Sequence, residues 1–427
     1  KHLSQSFAIA QGVHMLQEIA GFLRIDPSAV ASDALLWLAP TLVVAALLGE
    51  AVRRGLGLPR IVGYSLVGAL VALAGLGPSD GHLDGRFRLI VDVAVGLLLF
   101  ELGSRVRLHW LRANPSLLWT ALAEAVLGGA ALVACLRALG FDAGAALAGA
   151  AVLLASSAVV IGRVSTELRS AGQVTERMLL FAAVNTVCAV LLHKLMIGWL
   201  YVERGDAWAQ AIVLPLYALA GSAVLALLLA RVVAWVARRL DLRDENAVLL
   251  LLGLLLTALT AARALNLSSL LVPLLAGIVL RNTTDRPWVW PRHFGTAGGV
   301  LVLMLFVIVG SAWSADALVQ GAALAAAALA ARWAAKALVA VATARWTGIE
   351  FRQGAALALT LVPLSATSLV LFSDLRAAQP DVATQIAPLV LAAIALTELL
   401  GPLSVQWGLR LAGEHDPSAA RDRGAAS

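Results

Sequence analysis

Charge is scarce in this sequence, and so is cysteine. Only 14% of the 427 residues are Asp, Glu, Lys or Arg, and only two are Cys. Soluble domains carry about 25% charged and roughly 45–50% apolar residues. A chain that is 60% apolar is therefore excluded from the ordinary water-soluble class. Cys135 and Cys188 lie far apart in separate apolar segments, which excludes a disulfide framework or a CxxC site and leaves two free packing residues. Metal-ligand clusters, glycine-rich phosphate loops and nucleophile–base arrangements are missing too. Nothing in the sequence points to an enzyme, a catalytic residue, a metal site or a cofactor. The net charge of +6 is no nucleic-acid footprint, because the basic residues sit mainly between apolar runs, where they act as topology signals.

What the chain has in quantity is apolar runs long enough to cross a bilayer, with a mean hydropathy of +0.87. The expected fold class is an all-α polytopic membrane protein. Thirteen spans are expected, at about 34–52, 60–77, 88–104, 116–138, 143–164, 176–200, 210–237, 246–264, 267–282, 296–313, 316–343, 352–374 and 384–411. Residues 1–33 read as an N-terminal extension with a helix lying at the membrane surface, and 412–427 as a small, polar cytoplasmic tail. The loops after the odd-numbered spans carry groups of arginines, from Arg53, Arg54 and Arg60 to Arg345 and Arg352, whereas the alternate loops carry few. Positive charge is retained in the cytoplasm, so the N-terminus is expected outside and the C-terminus inside.

Transporters bind their substrates near the midplane, where helices are interrupted. Two spans fit that description. The fifth carries Ser156 and Ser157 at mid-depth, and the twelfth carries Val362-Pro363-Leu364-Ser365 followed by Thr367 and Ser368. Pro363 lacks an N–H and clashes with the preceding turn, so a break is expected there. The competing reading is that these hydroxyls merely bond back to their own helix. Asn185 and Thr186 lie at a similar depth in the sixth span. Ionisable residues deep in a membrane are costly and are functional candidates by default. Arg332 and Lys336, four residues apart, share a helix face; the alternative is snorkelling towards an interface. Glu101, Glu124 and Glu398 are the acids available to neutralise them or to carry a proton. Asp92 reads as interfacial, and His193-Lys194 as marking the approach to the outer interface.

Several stretches together resemble the cation:proton antiporter superfamily, in the branch of bacterial sodium/proton exchangers and potassium efflux antiporters. They are LGLPRIVGYSLVGAL (56–70), GLLLFELGSRVRL (96–108), LLASSAVVIGRVSTEL (153–168), LNLSSLLVPLLAGIVLRN (265–282), ARWAAK (331–336) and TELLGPL (397–403). The resemblance covers about 34–411. It implies inverted repeats with two crossing broken helices, spans five and twelve. It also implies a core domain at about 88–200 and 296–411, a dimerisation domain at about 34–77 and 210–282, and a homodimer in the bacterial inner membrane. That family carries an ion-binding aspartate in the sixth span, and here the matching positions are Asn185 and Thr186. The basic residue of the eleventh span is kept as Lys336, with Arg332 nearby.

The function expected is secondary active transport, a monovalent cation (Na+ or K+) exchanged for a proton at a non-standard site. Its candidate residues are Asn185, Thr186, Ser156, Ser157, Ser365 and Thr367, with Lys336, Arg332, Glu101 and Glu124 coupling charge. The alternatives are an anion-coupled transporter of the same fold, and a non-transporting membrane subunit or sensor.

Overall fold

The computed structural model describes residues 34–75, 83, 85–203, 208–239, 245–283, 294–364 and 366–415. The N-terminal extension, Ser365 and most of the tail lie outside the described residues. Among the described residues the chain is helical with no strand.

In chain order the helices are α1 (Ala34–Leu56), α2 (Arg60–Leu73), α3 (Gly85–Arg105), the short α4 (Leu108–Ala113), α5 (Pro115–Ala138), α6 (Ala143–Leu153), α7 (Ala158–Glu167), α8 (Gln173–Glu203), α9 (Trp208–Arg239), α10 (Glu245–Ala264), α11 (Leu271–Thr283), α12 (Phe294–Gly310), α13 (Ala315–Ala342), α14 (Phe351–Thr360), α15 (Ala366–Ala378) and α16 (Pro380–Ala412). α6/α7 and α14/α15 are pairs separated by an interruption of the helix. Six described segments are long and apolar enough by themselves to cross a membrane, and others, such as Arg60–Leu73 and Leu271–Thr283, are shorter.

Local sequence sets many of the ends. Asp142 caps α6 by accepting from the Ala145 N–H (2.7 Å), and Ser314 caps α13 through the Ala317 N–H (3.2 Å). These caps satisfy donors that a helix cannot pair internally. Glu350 and Gln353 form a reciprocal capping box at the start of α14. Gly413 ends α16 in the left-handed conformation, φ 74°, which glycine adopts without steric cost.

Close helix contacts recur at one spacing. A Cβ on Gly68 of α2 would meet the Val307 carbonyl and Gly310 of α12, while Gly277 of α11 lies against the backbone of α3 at Phe100 and Gly103. Only a residue without a side chain lets backbones approach this closely. Gly277 comes 209 positions after Gly68, and Gly310 comes 207 after Gly103. The helix breaks at Leu154 and Leu361 also begin 207 positions apart. α3 thus packs closely on α11 through Gly103 and Gly277. Around the interrupted helices, α8 and α16 are buried along much of their length.

Candidate ion site

α6 stops at Leu153 and α7 starts at Ala158; α14 stops at Thr360 and α15 starts at Ala366. Each break frees backbone groups that a nonpolar interior does not tolerate unpaired. Their partners can be named. The Ser157 N–H donates to the Pro363 carbonyl (2.7 Å), and Ser156 Oγ donates to the Leu361 carbonyl (3.0 Å). The two breaks therefore touch each other. Ser157 also caps α7, accepting from the Val160 N–H at 3.3 Å.

Arg332 of α13 fastens the breaks from the side. Its Nη1 donates to the Val362 carbonyl (3.0 Å), and its Nη2 to the Ala155 carbonyl (2.9 Å) and to Ser156 Oγ (3.1 Å). A planar guanidinium with several fixed donors suits this task better than an ammonium. Arg332 is 1% exposed, so the snorkelling alternative fails for it: the charge stays inside and is satisfied by carbonyl oxygens.

Lys336, one turn further along α13, donates to Glu124 Oε1 of α5, and both side chains are wholly buried. Its Nζ also lies 3.5 Å from Ser156 Oγ. Asn185 Nδ2 approaches the same hydroxyl at 3.4 Å. Ser156 is thus the meeting point of Arg332, Lys336 and Asn185. A hydroxyl has one donor and two lone pairs, so three approaching donors compete for two acceptor positions. Around this hub, Glu124 Oε2, Asn185 Oδ1, Thr367 Oγ1 and Ser368 Oγ are buried without a hydrogen-bond partner among the described residues. Glu124 and Arg332 stand 208 positions apart in the chain, within one position of the spacings that relate the glycine contacts and the breaks.

Not every candidate joins the hub. Thr186 is wholly buried, but its hydroxyl donates to the Ala182 carbonyl of its own helix (2.8 Å). Glu101 pairs with Arg105 (2.7 Å), one turn along α3, and remains partly exposed. It lines a small cavity beside Ala158 and Gly162 at the base of α7. That cavity shares Arg105 and Leu179 with a larger one of about 570 Å³. Asp92 is buried, held by Arg88 (3.1 Å) and by Arg263. His193 is wholly buried within the protein. Glu398, deep in α16, accepts from Ser65 Oγ of α2 (3.2 Å). Asp374 and Arg88, joined at 2.6 Å, lie at the end of the expected twelfth span and at the start of the third, and the sequence offered neither as a site candidate. Among the described residues no group of His, Cys, Asp and Glu is arranged to hold a resident metal.

The arrangement offers one carboxylate, several neutral oxygens and one removable ammonium at the meeting point of two broken helices. Among the solved structures that share the overall fold are two of the sodium proton antiporter MjNhaP1 of Methanocaldococcus jannaschii. One, determined at pH 8, has 17% identity and a TM-score of 0.63, with 88% of this chain and 95% of that one covered. The other, from electron microscopy, has 17% identity and a TM-score of 0.68, with coverage of 90% and 99%. No curated protein sequence matches the chain. The family described as "Sodium/hydrogen exchanger, transmembrane" matches residues 42–411, most of the chain, and this protein therefore belongs to the sodium/hydrogen exchanger family.

Proposed function

We propose that the protein exchanges a monovalent cation, Na+ or K+, for a proton across a membrane, and that Glu124 supplies the carboxylate which Asn185 and Thr186 lack. The single observation that carries this reading is the buried contact of Lys336 Nζ with Glu124. An entering cation is coordinated by oxygen, and Glu124, Ser156 and Asn185 Oδ1 are the oxygens within reach of the hub. To bind Glu124 it must take the place of the ammonium. An ammonium displaced from its carboxylate into a nonpolar interior is costly unless it sheds its proton. Glu124 then holds either the cation or protonated Lys336, never both, and that competition couples the two fluxes. The charge of the site is the same in both states, so the exchange is expected to be one for one and electroneutral.

Arg332 and Lys336 are both engaged by partners, which speaks against the anion-coupled alternative. The recurrence of breaks and glycine contacts near a 208-residue spacing supports inverted repeats with crossing broken helices. The same reading puts the protein in a bacterial inner membrane as a homodimer with thirteen spans, N-terminus out and C-terminus in.

The test is purified protein in liposomes, with a trapped pH dye and an imposed Na+ or K+ gradient. Cation-dependent proton flux that is unchanged by clamping the membrane potential is expected, and Glu124→Gln should abolish it. Folded protein without such flux overturns the reading. Anion-dependent flux instead favours the second alternative, and no flux together with a stable partner protein favours the third.

A further inference from the structure

Glu124, Ser156, Asn185 and Lys336 are all wholly buried, so an ion that reaches them needs a route from water. Two adjoining cavities mark one. The larger, about 570 Å³, has Arg105, Arg107, Glu176 and Arg177 in its lining. The smaller, about 10 Å³, has room for roughly one water molecule. It is bounded by Glu101 and Arg105 of α3, Ala158 and Gly162 of α7, and Leu179 of α8. Arg105 and Leu179 line both cavities, so the smaller is a neck on the larger. Its inner end is Ala158, which opens α7 two residues after Ser156.

Among the described residues, Glu101 and Arg105 are the charged groups of this neck. Arg105 Nη2 donates to Glu101 Oε1 at 2.7 Å and lies 3.5 Å from Thr166 Oγ1 of α7. The Arg105 side chain is 36% exposed and that of Glu101 23%, in contrast to the sealed pair of Glu124 and Lys336. An ion pair open to water is weak, and Arg105 has the larger cavity to withdraw into. A cation in a space for one water has shed its hydration shell, and protein oxygens must replace it. Everything else around the neck opposes a cation. The larger cavity sets three arginines against Glu176, and α7 turns the positive end of its dipole towards the neck. Glu101 is the carboxylate that offsets them.

We propose that Glu101 is the first binding position of the transported cation, on the way from the larger cavity to Glu124, and that Arg105 competes with the cation for it. The inference rests on the cation/proton reading above. No covalent bond changes. An arriving cation takes Glu101 from Arg105, whose guanidinium keeps Thr166 and water as acceptors. When the ion moves on to Ser156 and Glu124, Arg105 returns to Glu101. The path thus holds two carboxylates in series, each occupied by a basic side chain when no cation is there. Glu101 and Arg105 then act on the apparent cation affinity with opposite sign.

The test is the KM for the cation in the liposome assay, on the full chain. Glu101→Gln removes the charge that attracts the ion and should raise KM on the order of tenfold, with a smaller change in maximal rate; Glu101→Asp should recover part of the loss. Arg105→Gln removes the competitor and should lower KM about threefold, in keeping with a weak pair. A pair that only braces α3 would shift KM in the same direction in both variants or leave it unchanged, and either result overturns the proposal. Gly162 probes the neck without touching the pair. It lines the neck, and a Cβ there meets nothing within 4 Å, so Gly162→Met should fold and lose most of its flux. A wild-type rate in that variant also overturns the proposal. Absence of flux in the wild type, or full flux in Glu124→Gln, sinks the exchange reading instead, so the two failures are told apart.

Discussion

Glu124 and Lys336 meet inside the protein although 212 residues separate them in sequence, and no part of either side chain is exposed. Removing one member of such a pair strands the other charge in a nonpolar interior. Glu124→Ala and Lys336→Ala should each destabilise the protein by about 3–5 kcal/mol. Glu124→Leu combined with Lys336→Met should cost much less than the two single changes together. Thermal unfolding in detergent across that double-mutant cycle measures the coupling, and additive effects would contradict the pairing.

Arg332 has a different task from Lys336, although it sits one turn away. It donates to the carbonyls of Ala155 and Val362, one on each break. Arg332→Ala leaves two buried acceptors unsatisfied at about 1–3 kcal/mol each. Arg332→Lys should recover only part of the loss, because a single ammonium does not match two carbonyls and a hydroxyl held in a fixed fork. Protease sensitivity near residues 154–157 and 361–364 should rise in step with the loss of thermal stability.

Ser156 is the shared acceptor of the hub. Ser156→Ala removes the bond to the Leu361 carbonyl and the acceptor shared by Arg332, Lys336 and Asn185, at about 1 kcal/mol for each hydrogen bond lost; Arg332 and Lys336 keep their other partners, so the fold should survive. The hydroxyl oxygen, however, is proposed as a cation ligand. The KM for the transported cation is expected to rise about tenfold or more, equivalent to roughly 1.4 kcal/mol, with a smaller change in maximal rate. An unchanged KM in liposome assays would remove Ser156 from the ligand set.

Thr186→Asp places a carboxylate where the family resemblance expects one. Thr186 is buried and bonded to its own helix at Ala182, so the new acid enters beside Asn185. In the Glu124→Gln background this substitution is expected to restore measurable cation-dependent proton flux. Failure to do so, in protein that still folds, would show that position 186 does not face the transported ion.

The glycine contact between α3 and α11 tests the packing rather than the chemistry. A Cβ on Gly103 would run into the Leu274 carbonyl, and one on Gly277 into the Phe100 carbonyl. Neither obstacle is a flexible side-chain end that can move aside. Gly103→Val or Gly277→Val should therefore cost about 1–3 kcal/mol or more and lower the yield of folded protein. Gly162, whose Cβ position is open, should tolerate Ala with little change.

The sequence by itself determined the class of protein and the places where helices must fail. Apolar runs of bilayer length allow only helices in a membrane, because every backbone group has to be satisfied within its own segment. Pro363 cannot donate a hydrogen bond, and the Ser156-Ser157 pair offers local partners, so both interruptions were legible from residue type alone. Lys336 stood out in the same way, as an ionisable residue inside an apolar run, whereas the expectation of an acid at Asn185-Thr186 came only from the family resemblance. Tertiary structure decided which distant groups meet. Glu101 and Glu124 were equal candidates in the sequence, since each is a single acid in an apolar run. Only the packing of α5 against α13 brings Glu124 to Lys336, while Glu101 stays with Arg105 on its own helix. Arg332, read as a member of a cationic pair, proved to be the clamp on two sets of freed carbonyls. The burial of His193 follows from the helices packed around α8. Helical periodicity fixes which face of a helix a residue occupies, but the partner on that face is set by long-range contacts that local sequence does not encode.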